Sequence, residues 1–222
     1  MMQEFSHVET WVFDLDNTLY PPAARLFDQI EERMSVYVMR ELGFTRDVAD
    51  HLRDTWWRNH GTTLAGLMGD HGIDPDPFLD EVHDIDLSVL VPDAALRRAI
   101  TALPGRRIIY TNGSRVHAER VSEALELRDL FDALYGIEDA GYRPKPEQAA
   151  FERVFAQDGL TPDCALMFED DPRNLKVPSA MGLTTVLVGA PHEAAFIDHH
   201  TNDLTGFLTR LLDAPGLAAS TG

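Results

Sequence analysis

Two aspartates lie two positions apart, directly after a short apolar run of the chain. The run is Trp11-Val12-Phe13, and the aspartates are Asp14 and Asp16. In an extended chain, residues i and i+2 point to the same side, so both carboxylates face one space. Carboxylates this close repel each other, and either a divalent cation or a shared proton would relieve the repulsion. Such pairs are typical of catalytic sites, although two acids that cap a turn or face solvent would show the same spacing.

A threonine ends a second apolar run and is followed by small polar residues. Thr111 comes after Ile108-Ile109-Tyr110 and before Asn112 and Gly113. The hydroxyl of Thr111 and the next backbone N–H groups are predicted to hold phosphate oxygens at the start of a helix. An ordinary helix cap is the alternative interpretation.

A lysine between two prolines supplies a candidate cation. Lys145 stands between Pro144 and Pro146, and the restricted backbone of the prolines lowers the entropy cost of holding the side chain in place. A solvated loop lysine would give the same pattern.

Three consecutive acids follow a third apolar run. Glu169, Asp170 and Asp171 come directly after Ala165-Leu166-Met167-Phe168. Acids at the end of a buried strand are costly unless they meet a cation, and hard oxygen ligands select Mg²⁺. The alternative is an acidic helix N-terminus, which the helix dipole favours. Asp171 precedes Pro172 and is predicted to cap the following turn, which leaves Asp170 as the better metal ligand.

The elements that must position these residues form an α/β pattern. Strands are predicted at 11–13, 107–110, 165–168 and 184–188, with a weaker one at 133–137. The runs are continuous rather than alternating, which is typical of a parallel sheet covered on both faces. Helical patterns separate them at 116–127, 147–157 and 175–181, as in βαβ units. Because ligands bind at the carboxyl ends of parallel strands, all four polar segments are predicted to meet in one crevice.

Residues 20–90 interrupt this alternation. Apolar residues recur there at helical spacing from Leu26 to Leu42, and helices are predicted at 47–59, 63–71 and 77–83. We therefore predict a core made of residues 1–19 and 91–214, an inserted all-helical module at 20–90, and a flexible tail at 215–222.

Composition limits the class of protein and its partners. The chain has 222 residues and a formal net charge of −18, from 19 basic and 37 acidic residues. This field would repel nucleic acid, and no apolar stretch is long enough to span a membrane. The single cysteine, Cys164, allows no internal disulfide, and Met1–Glu9 lacks a secretory pattern. We expect a cytoplasmic protein that acts as a monomer or homodimer on a small phosphorylated metabolite.

The combined pattern resembles the haloacid dehalogenase superfamily of phosphatases over nearly the whole chain. Asp14-x-Asp16-x-Thr18 resembles its first motif, Thr111 its second, Lys145 its third, and Glu169-Asp170 its fourth. The helical insertion after the first motif resembles the family's mobile cap. The resemblance implies a Rossmann-like, three-layer α/β core with a parallel sheet and an inserted all-helical cap.

The resemblance also implies a role for each motif residue. Asp14 would be the nucleophile that forms an aspartyl-phosphate, and Asp16 the general acid and then the general base. Thr111 and Lys145 would hold the phosphoryl oxygens. Mg²⁺ would be bound by Asp14, by the backbone carbonyl of Asp16 and by Asp170, with Glu169 as a ligand or a supporting partner. Asp16 argues against the dehalogenase branch, which lacks an acid at this position.

Two segments are similar to the pyrimidine 5′-nucleotidase group of this superfamily. They are residues 13–21 around the first motif and residues 57–67 in the insertion. The group often has Ser where Asp171 stands and commonly Asp where Glu169 stands. The resemblance implies a nucleoside 5′-monophosphate as substrate, pyrimidine preferred. The candidate contacts are Tyr20, Thr62 and Thr63, and Tyr20 alternatively packs at the hinge of the insertion.

Two other functions remain open. One is a phosphatase for another small ester, such as a sugar phosphate or phosphoglycolate. The other is a non-catalytic module that binds phosphate and metal.

Overall fold

The computed structural model describes residues 5–213, which contain six strands and nine α-helices joined by loops and short 3-10 turns. The predicted tail at 215–222 lies outside the described residues. The strands are β1 (Thr10–Phe13), β2 (Arg106–Tyr110), β3 (Ala133–Tyr135), β4 (Ala165–Glu169), β5 (Thr184–Val188) and β6 (His199–Thr201). The helices are α1 (Leu26–Leu42), α2 (Arg46–His60), α3 (Thr63–His71), α4 (Pro75–Val82), α5 (Ala94–Thr101), α6 (Arg115–Ala124), α7 (Gln148–Asp158), α8 (Lys176–Met181) and α9 (Leu204–Asp213).

The strands form one parallel sheet in the order β3-β2-β1-β4-β5-β6. Strand β1 lies in the middle, with Phe13 opposite Ile109 of β2 on one side and Phe168 of β4 on the other. All four residues of β1 are buried, which explains why Trp11, Val12 and Phe13 form a continuous apolar run. Because the three strands are parallel and in register, the residues that follow them emerge at the same edge of the sheet.

Helices cover both faces of the sheet, which gives three layers. Trp11 and Phe13 of β1 point to one face, where α5, α6 and α9 pack, while Val12 points to the other face, where α7 and α8 pack. This division follows from the period of two along a strand. The predicted Rossmann-like fold class is confirmed.

Four helices, α1 to α4, occupy the chain between β1 and α5, and we call them the cap. Helix α1 buries the stripe that includes Leu26, Ile30 and Val38, and ends at Gly43, whose φ of 70° is the left-handed conformation that glycine adopts easily. Helix α3 begins after Thr62, whose hydroxyl accepts a hydrogen bond from the N–H of Ala65. The domain limits drawn at residues 20 and 90 stay a prediction.

Three elements escaped the sequence pattern. Strand β6 has only three residues at the sheet edge, two of them histidines, and so lacks an apolar run. Helices α5 and α9, which pack against the face of the sheet that carries Trp11 and Phe13, were also not predicted. No helix within residues 5–213 combines the length and apolar character needed to cross a bilayer.

Candidate active site

Lys145 is buried at the carboxyl edge of the sheet and joins two of the predicted acids. Its Nζ donates hydrogen bonds to Asp14 Oδ1 at 2.8 Å, to Glu169 Oε2 at 2.6 Å and to the carbonyl oxygen of Tyr110 at 3.0 Å. Only 1% of the lysine is exposed. An ammonium group has three hydrogens, and each has an acceptor here. Lys145 therefore positions Asp14, and a contact with a phosphoryl oxygen would replace one of these three bonds.

Burial sets the charge balance of this cluster. It raises the pKa of Asp14 to about 7, with Glu169 adding to the rise and Lys145 opposing it. It also raises the pKa of Glu169 to about 7 against the effect of Lys145. Burial alone would lower the pKa of Lys145, but Asp14 and Glu169 raise it by more. The lysine is therefore charged at neutral pH, and the acids compete for too little positive charge.

Asp170 adds a third carboxylate to the same space. Oxygens of Asp14, Glu169 and Asp170 all lie within 4.8 Å of one another. Burial, followed by the charge of Asp14, raises the pKa of Asp170 to about 7. One ammonium group cannot neutralise three carboxylates, so the cluster carries excess negative charge. Carboxylate oxygens are also the ligands that Mg²⁺ prefers. The residues present therefore fit a hard divalent cation.

The two oxygens of Glu169 are both engaged by protein donors. Oε2 accepts from Lys145, and Oε1 accepts from the backbone N–H of Asp171 at 3.2 Å. Glu169 thus holds the lysine in place, and its direct contact with a metal stays a prediction, as does the role of the Asp16 carbonyl.

Asp16 faces the same space but has different partners. Its Oδ1 accepts a hydrogen bond from Tyr20 Oη at 2.7 Å and lies 2.9 Å from His117 Nε2. Burial raises the pKa of Asp16, but His117 and Tyr20 lower it by more, so the net shift is downward. Asp14 and Asp16 are therefore pushed to opposite protonation preferences by their surroundings, which is common for pairs of acids with different roles.

Thr111, Asn112 and Gly113 form the loop between β2 and α6. The Thr111 hydroxyl accepts the N–H of Gly113 at 2.9 Å and keeps its own hydrogen for another acceptor. The Asn112 side chain accepts the backbone N–H of Lys145 at 2.8 Å and donates to its carbonyl at 3.1 Å. Helix α6 then begins after Ser114, which caps it. The Gly113 N–H, one of the predicted phosphate-binding groups, thus already has a partner within the protein, and so does the Asn112 side chain.

A cation–π contact fastens the cap to the core beside this loop cluster. The Arg173 guanidinium lies 3.7 Å from the ring centre of Trp57 and donates to the Trp57 carbonyl at 3.2 Å. Asp171 pairs with the same guanidinium at 2.6 Å and accepts the backbone N–H of Arg173, which confirms its predicted capping role. At the end of α2, Gly61 packs against the carbonyl of Lys145, and a Cβ there would lie 3.0 Å from that oxygen.

A cavity of about 540 Å³ lies between the cap and the core, with the motif residues at its floor. Asp14, Asp16, Thr111, Lys145 and Asp170 all line it. The wall on the cap side includes seven apolar side chains together with Trp57: Phe27, Ile30, Met34, Leu64, Phe78, Leu79 and Val82. Polar groups on the same side are Glu31, Arg53, Asp54, Thr62, Thr63 and His83.

The candidate substrate contacts differ in their placement. Thr62 and Thr63 line the cavity, although the Thr62 hydroxyl caps α3. Tyr20 does not line the cavity, and its hydroxyl is hydrogen-bonded to Asp16. This placement resembles the alternative interpretation, in which Tyr20 packs at the hinge of the insertion.

Sequence reasoning missed two histidines near Asp16. The rings of His83 and His117 stack with centroids 4.3 Å apart. They are 34 positions apart in the chain, so no short motif joins them. The one available signal was the spacing from the cap residue Ser114 to His117, which places the histidine in the first turn of α6.

A family model identifies the class of protein to which this chain belongs. The model of the haloacid dehalogenase-like hydrolase family matches residues 8–182, and the chain belongs to this family. Among individual relatives, it is 29% identical over 199 residues to Phosphate metabolism protein 8 of Saccharomyces cerevisiae, covering 81% of this chain and 61% of the yeast protein. It is 35% identical over 108 residues to Enolase-phosphatase E1 of Frankia alni, covering 46% of this chain and 44% of that protein. The chain thus spans less than two thirds of the length of either curated relative.

Solved structures share the fold at low sequence identity. A HAD phosphatase from Thermococcus onnurineus superposes with a TM-score of 0.63 at 17% identity, over 93% of this chain and 98% of that one. The L-2-haloacid dehalogenase of Xanthobacter autotrophicus superposes with a TM-score of 0.57 at 16% identity, over 94% of this chain and 100% of that one. The same fold thus supports both chemistries, and the site residues must decide between them.

Proposed function

We propose that this protein is a Mg²⁺-dependent phosphomonoester hydrolase that works through an aspartyl-phosphate on Asp14. The observation that carries the proposal is the cluster of Lys145, Asp14, Glu169 and Asp170 on the floor of the cavity. An acid at position 16 facing the same space supports phosphatase rather than dehalogenase chemistry. The names of the two curated relatives, a phosphate metabolism protein and an enolase-phosphatase, both refer to phosphate.

The proposed reaction has two displacement steps. Asp14 Oδ2 has no hydrogen-bond partner among residues 5–213 and is the oxygen free to attack phosphorus. A bond forms between this oxygen and phosphorus while the ester P–O bond breaks. His117 and Tyr20 favour the charged form of Asp16 in the free enzyme, whereas the negative phosphoryl group of a bound substrate lies beside this carboxylate and favours its protonated form. Asp16, protonated in this complex, gives its proton to the leaving alkoxide. Asp16 then takes a proton from water, the resulting hydroxide attacks phosphorus, and the Asp14–phosphorus bond breaks.

The remaining site residues position the Asp14 carboxylate and neutralise charge on the phosphoryl group. Lys145 and Glu169 fix the carboxylate of Asp14, and the free hydrogen of Thr111 is available to a phosphoryl oxygen. Asp14 and Asp170 are the proposed side-chain ligands for Mg²⁺. When bound, the cation neutralises charge on the phosphoryl oxygens and on the carboxylates, as in other phosphoryl transfers.

The cap wall supports a nucleoside 5′-monophosphate as the substrate, with a pyrimidine preferred. An apolar wall of seven side chains suits the faces of a planar base, because burying apolar surface against apolar surface is favourable. A sugar phosphate or phosphoglycolate would place hydroxyls or a second carboxylate beside the seven apolar side chains, which offer them no hydrogen bonds, and would bury less apolar surface there. Arg53 also lines the wall, and its guanidinium is held by Ser35 Oγ at 2.6 Å and by Glu31 Oε1 at 3.2 Å.

A panel of phosphomonoesters tests both parts of the proposal. We would compare kcat/KM for pyrimidine and purine 5′-monophosphates, a hexose phosphate and phosphoglycolate, with Mg²⁺ and with a chelator. The proposal expects Mg²⁺-dependent turnover and the highest kcat/KM for the pyrimidine nucleotides. Equal kcat/KM for all esters would refute the proposed nucleotide substrate. No turnover of any ester would refute the proposed phosphatase activity.

A further inference from the structure

We propose that Tyr20 and His117 are positioning residues for Asp16, which hold one carboxylate oxygen so that the other transfers the proton. The inference rests on the proposed function, because it assigns Asp16 the acid and base role. We call Tyr20 and His117 the Asp16 clamp.

Both members of the clamp bind the same oxygen. Tyr20 Oη donates to Asp16 Oδ1 at 2.7 Å, and His117 Nε2 lies 2.9 Å from this atom. Oδ2 has no hydrogen-bond partner within residues 5–213, and Asp16 lines the cavity. One oxygen is therefore anchored to the protein, and the other is free to meet a leaving group or a water molecule.

The clamp lies behind Asp16 and does not touch the substrate space. Tyr20 is 3% exposed and His117 1% exposed, and neither lines the cavity. Their effect on the reaction must therefore pass through Asp16. A rotating carboxylate would spend only part of its time with Oδ2 facing the ester, so fixing its orientation is expected to raise kcat.

The histidine ring is itself held on several sides. The ring of His83 stacks on it at an interplanar angle of 19°, and Ser114 Oγ accepts the backbone N–H of His117 at 3.1 Å. The same Ser114 hydroxyl lies 3.2 Å from His83 Nδ1. Gly113 leaves room for the ring, because a Cβ there would lie 2.9 Å from His117 Cδ2. This packing leaves the imidazole little freedom to turn away from Asp16.

Two substitutions remove one member of the clamp each. Tyr20→Phe deletes only the hydroxyl, and His117→Leu deletes the donor, whereas His117→Gln keeps an amide N–H near the former Nε2. A hydrogen bond to a charged group corresponds to about a tenfold or larger change in rate. We expect Tyr20→Phe and His117→Leu each to lower kcat for a nucleoside 5′-monophosphate about tenfold, with KM within roughly twofold. His117→Gln is expected to recover most of the loss.

The leaving group separates positioning from a general loss of structure. The nitrophenolate of 4-nitrophenyl phosphate departs without a proton, so formation of the aspartyl-phosphate from this ester needs no acid. In rapid mixing, the burst of nitrophenolate should keep its wild-type rate in both variants, while the burst with the nucleotide slows. The control is Tyr135→Phe, which removes a tyrosine hydroxyl from Asp158 away from the site and should leave both bursts unchanged.

Three results decide the matter. A nucleotide kcat that is unchanged in Tyr20→Phe and His117→Leu, in an otherwise active enzyme, would refute the clamp while leaving the proposed function intact. Equal slowing of both bursts would show that the residues act on Asp14 or on the fold, and would also refute it. In an Asp16→Asn background, which lacks the proton-transferring group, Tyr20→Phe should have no further effect. An additional tenfold loss there would contradict action through Asp16.

Discussion

Asp14→Asn is expected to abolish turnover and, without divalent cations, to stabilise the fold. An amide cannot attack phosphorus, so the loss of activity follows from the role of Asp14 as nucleophile. The gain in stability follows from burial. Asp14 is 6% exposed, and its pKa rises from 3.8 to about 7 because its charge is buried near Glu169 with only Lys145 to neutralise both. A neutral side chain of the same shape removes this cost.

The size of the effect can be worked from the pKa shift. A shift from 3.8 to about 7 is about three units, or about 4 kcal/mol of unfolding free energy at pH 8. This shift already includes the attraction between Asp14 and Lys145, which opposes the effect of burial. We therefore expect Asp14→Asn to raise the free energy of unfolding by up to about 4 kcal/mol at pH 8 in the presence of a chelator.

The stability of the wild type is expected to depend on pH through Asp14. Because the folded-state pKa lies above the unfolded one, the folded protein binds more protons between pH 3.8 and about 7. The contribution of Asp14 to wild-type stability therefore declines as the pH rises through this window. The advantage of the Asn variant should be large at pH 8 and nearly absent at pH 4.

Urea denaturation of both proteins at pH 8 and at pH 4, with a chelator and with Mg²⁺, measures these terms. Mg²⁺ should stabilise the wild type more than the variant, since one carboxylate ligand is missing from the variant. Asp80→Asn, at an exposed position of α4, is the matched control and should change stability by less than about 0.5 kcal/mol. A variant less stable than the wild type at pH 8 without metal would refute the reasoning.

Four further substitutions test other parts of the structure. Arg173→Ala removes the cation–π contact that fastens the cap, worth about 1 kcal/mol, and should speed amide exchange in α2 roughly fivefold by mass spectrometry. Burial lowers the pKa of His83 from 6.5 to about 3, so the unfolded chain binds the extra proton and stability falls as the pH drops through this window. His83→Phe should remove up to about 4 to 5 kcal/mol of that fall in urea titrations. Gly66→Ala places a Cβ 2.0 Å from Trp56 Cγ and should destabilise by about 1 to 3 kcal/mol. Gly69→Ala in the same helix meets nothing within 4 Å and should be neutral or slightly stabilising.

The floor of the site could be predicted from the sequence because each residue there follows a strand. Asp14, Thr111 and Asp170 come directly after or near the end of runs whose burial makes them continuous and apolar. Parallel strands in register bring such residues to one edge without any further information. The sequence also placed helices between β1 and β2, because their apolar stripes repeat at helical spacing.

The surroundings of Asp16 could not be predicted in the same way. His83 follows the last residue of α4 and His117 lies in α6, so their stacking depends on how the cap sits on α6. The spacing between Tyr20 and Asp16 allows either a substrate contact or packing at the hinge, because it does not determine where the hydroxyl points. The hydrogen bonds that already engage Lys145 and Asn112 could not be predicted either, because they depend on side-chain packing rather than on sequence spacing.

The connections of the cap to the core restrict how the cap can be exchanged. Tyr20 lies at its entrance and His83 at its exit, and both belong to the surroundings of Asp16. Arg120 also holds the carbonyl of His83 at 2.9 Å. A chimera that takes its cap from a relative must keep these two residues with the host core, so the transplanted segment should lie within 21–82. Grafts cut at wider boundaries would alter the proton-transfer group together with the pocket, and a change of specificity could not then be separated from a loss of chemistry.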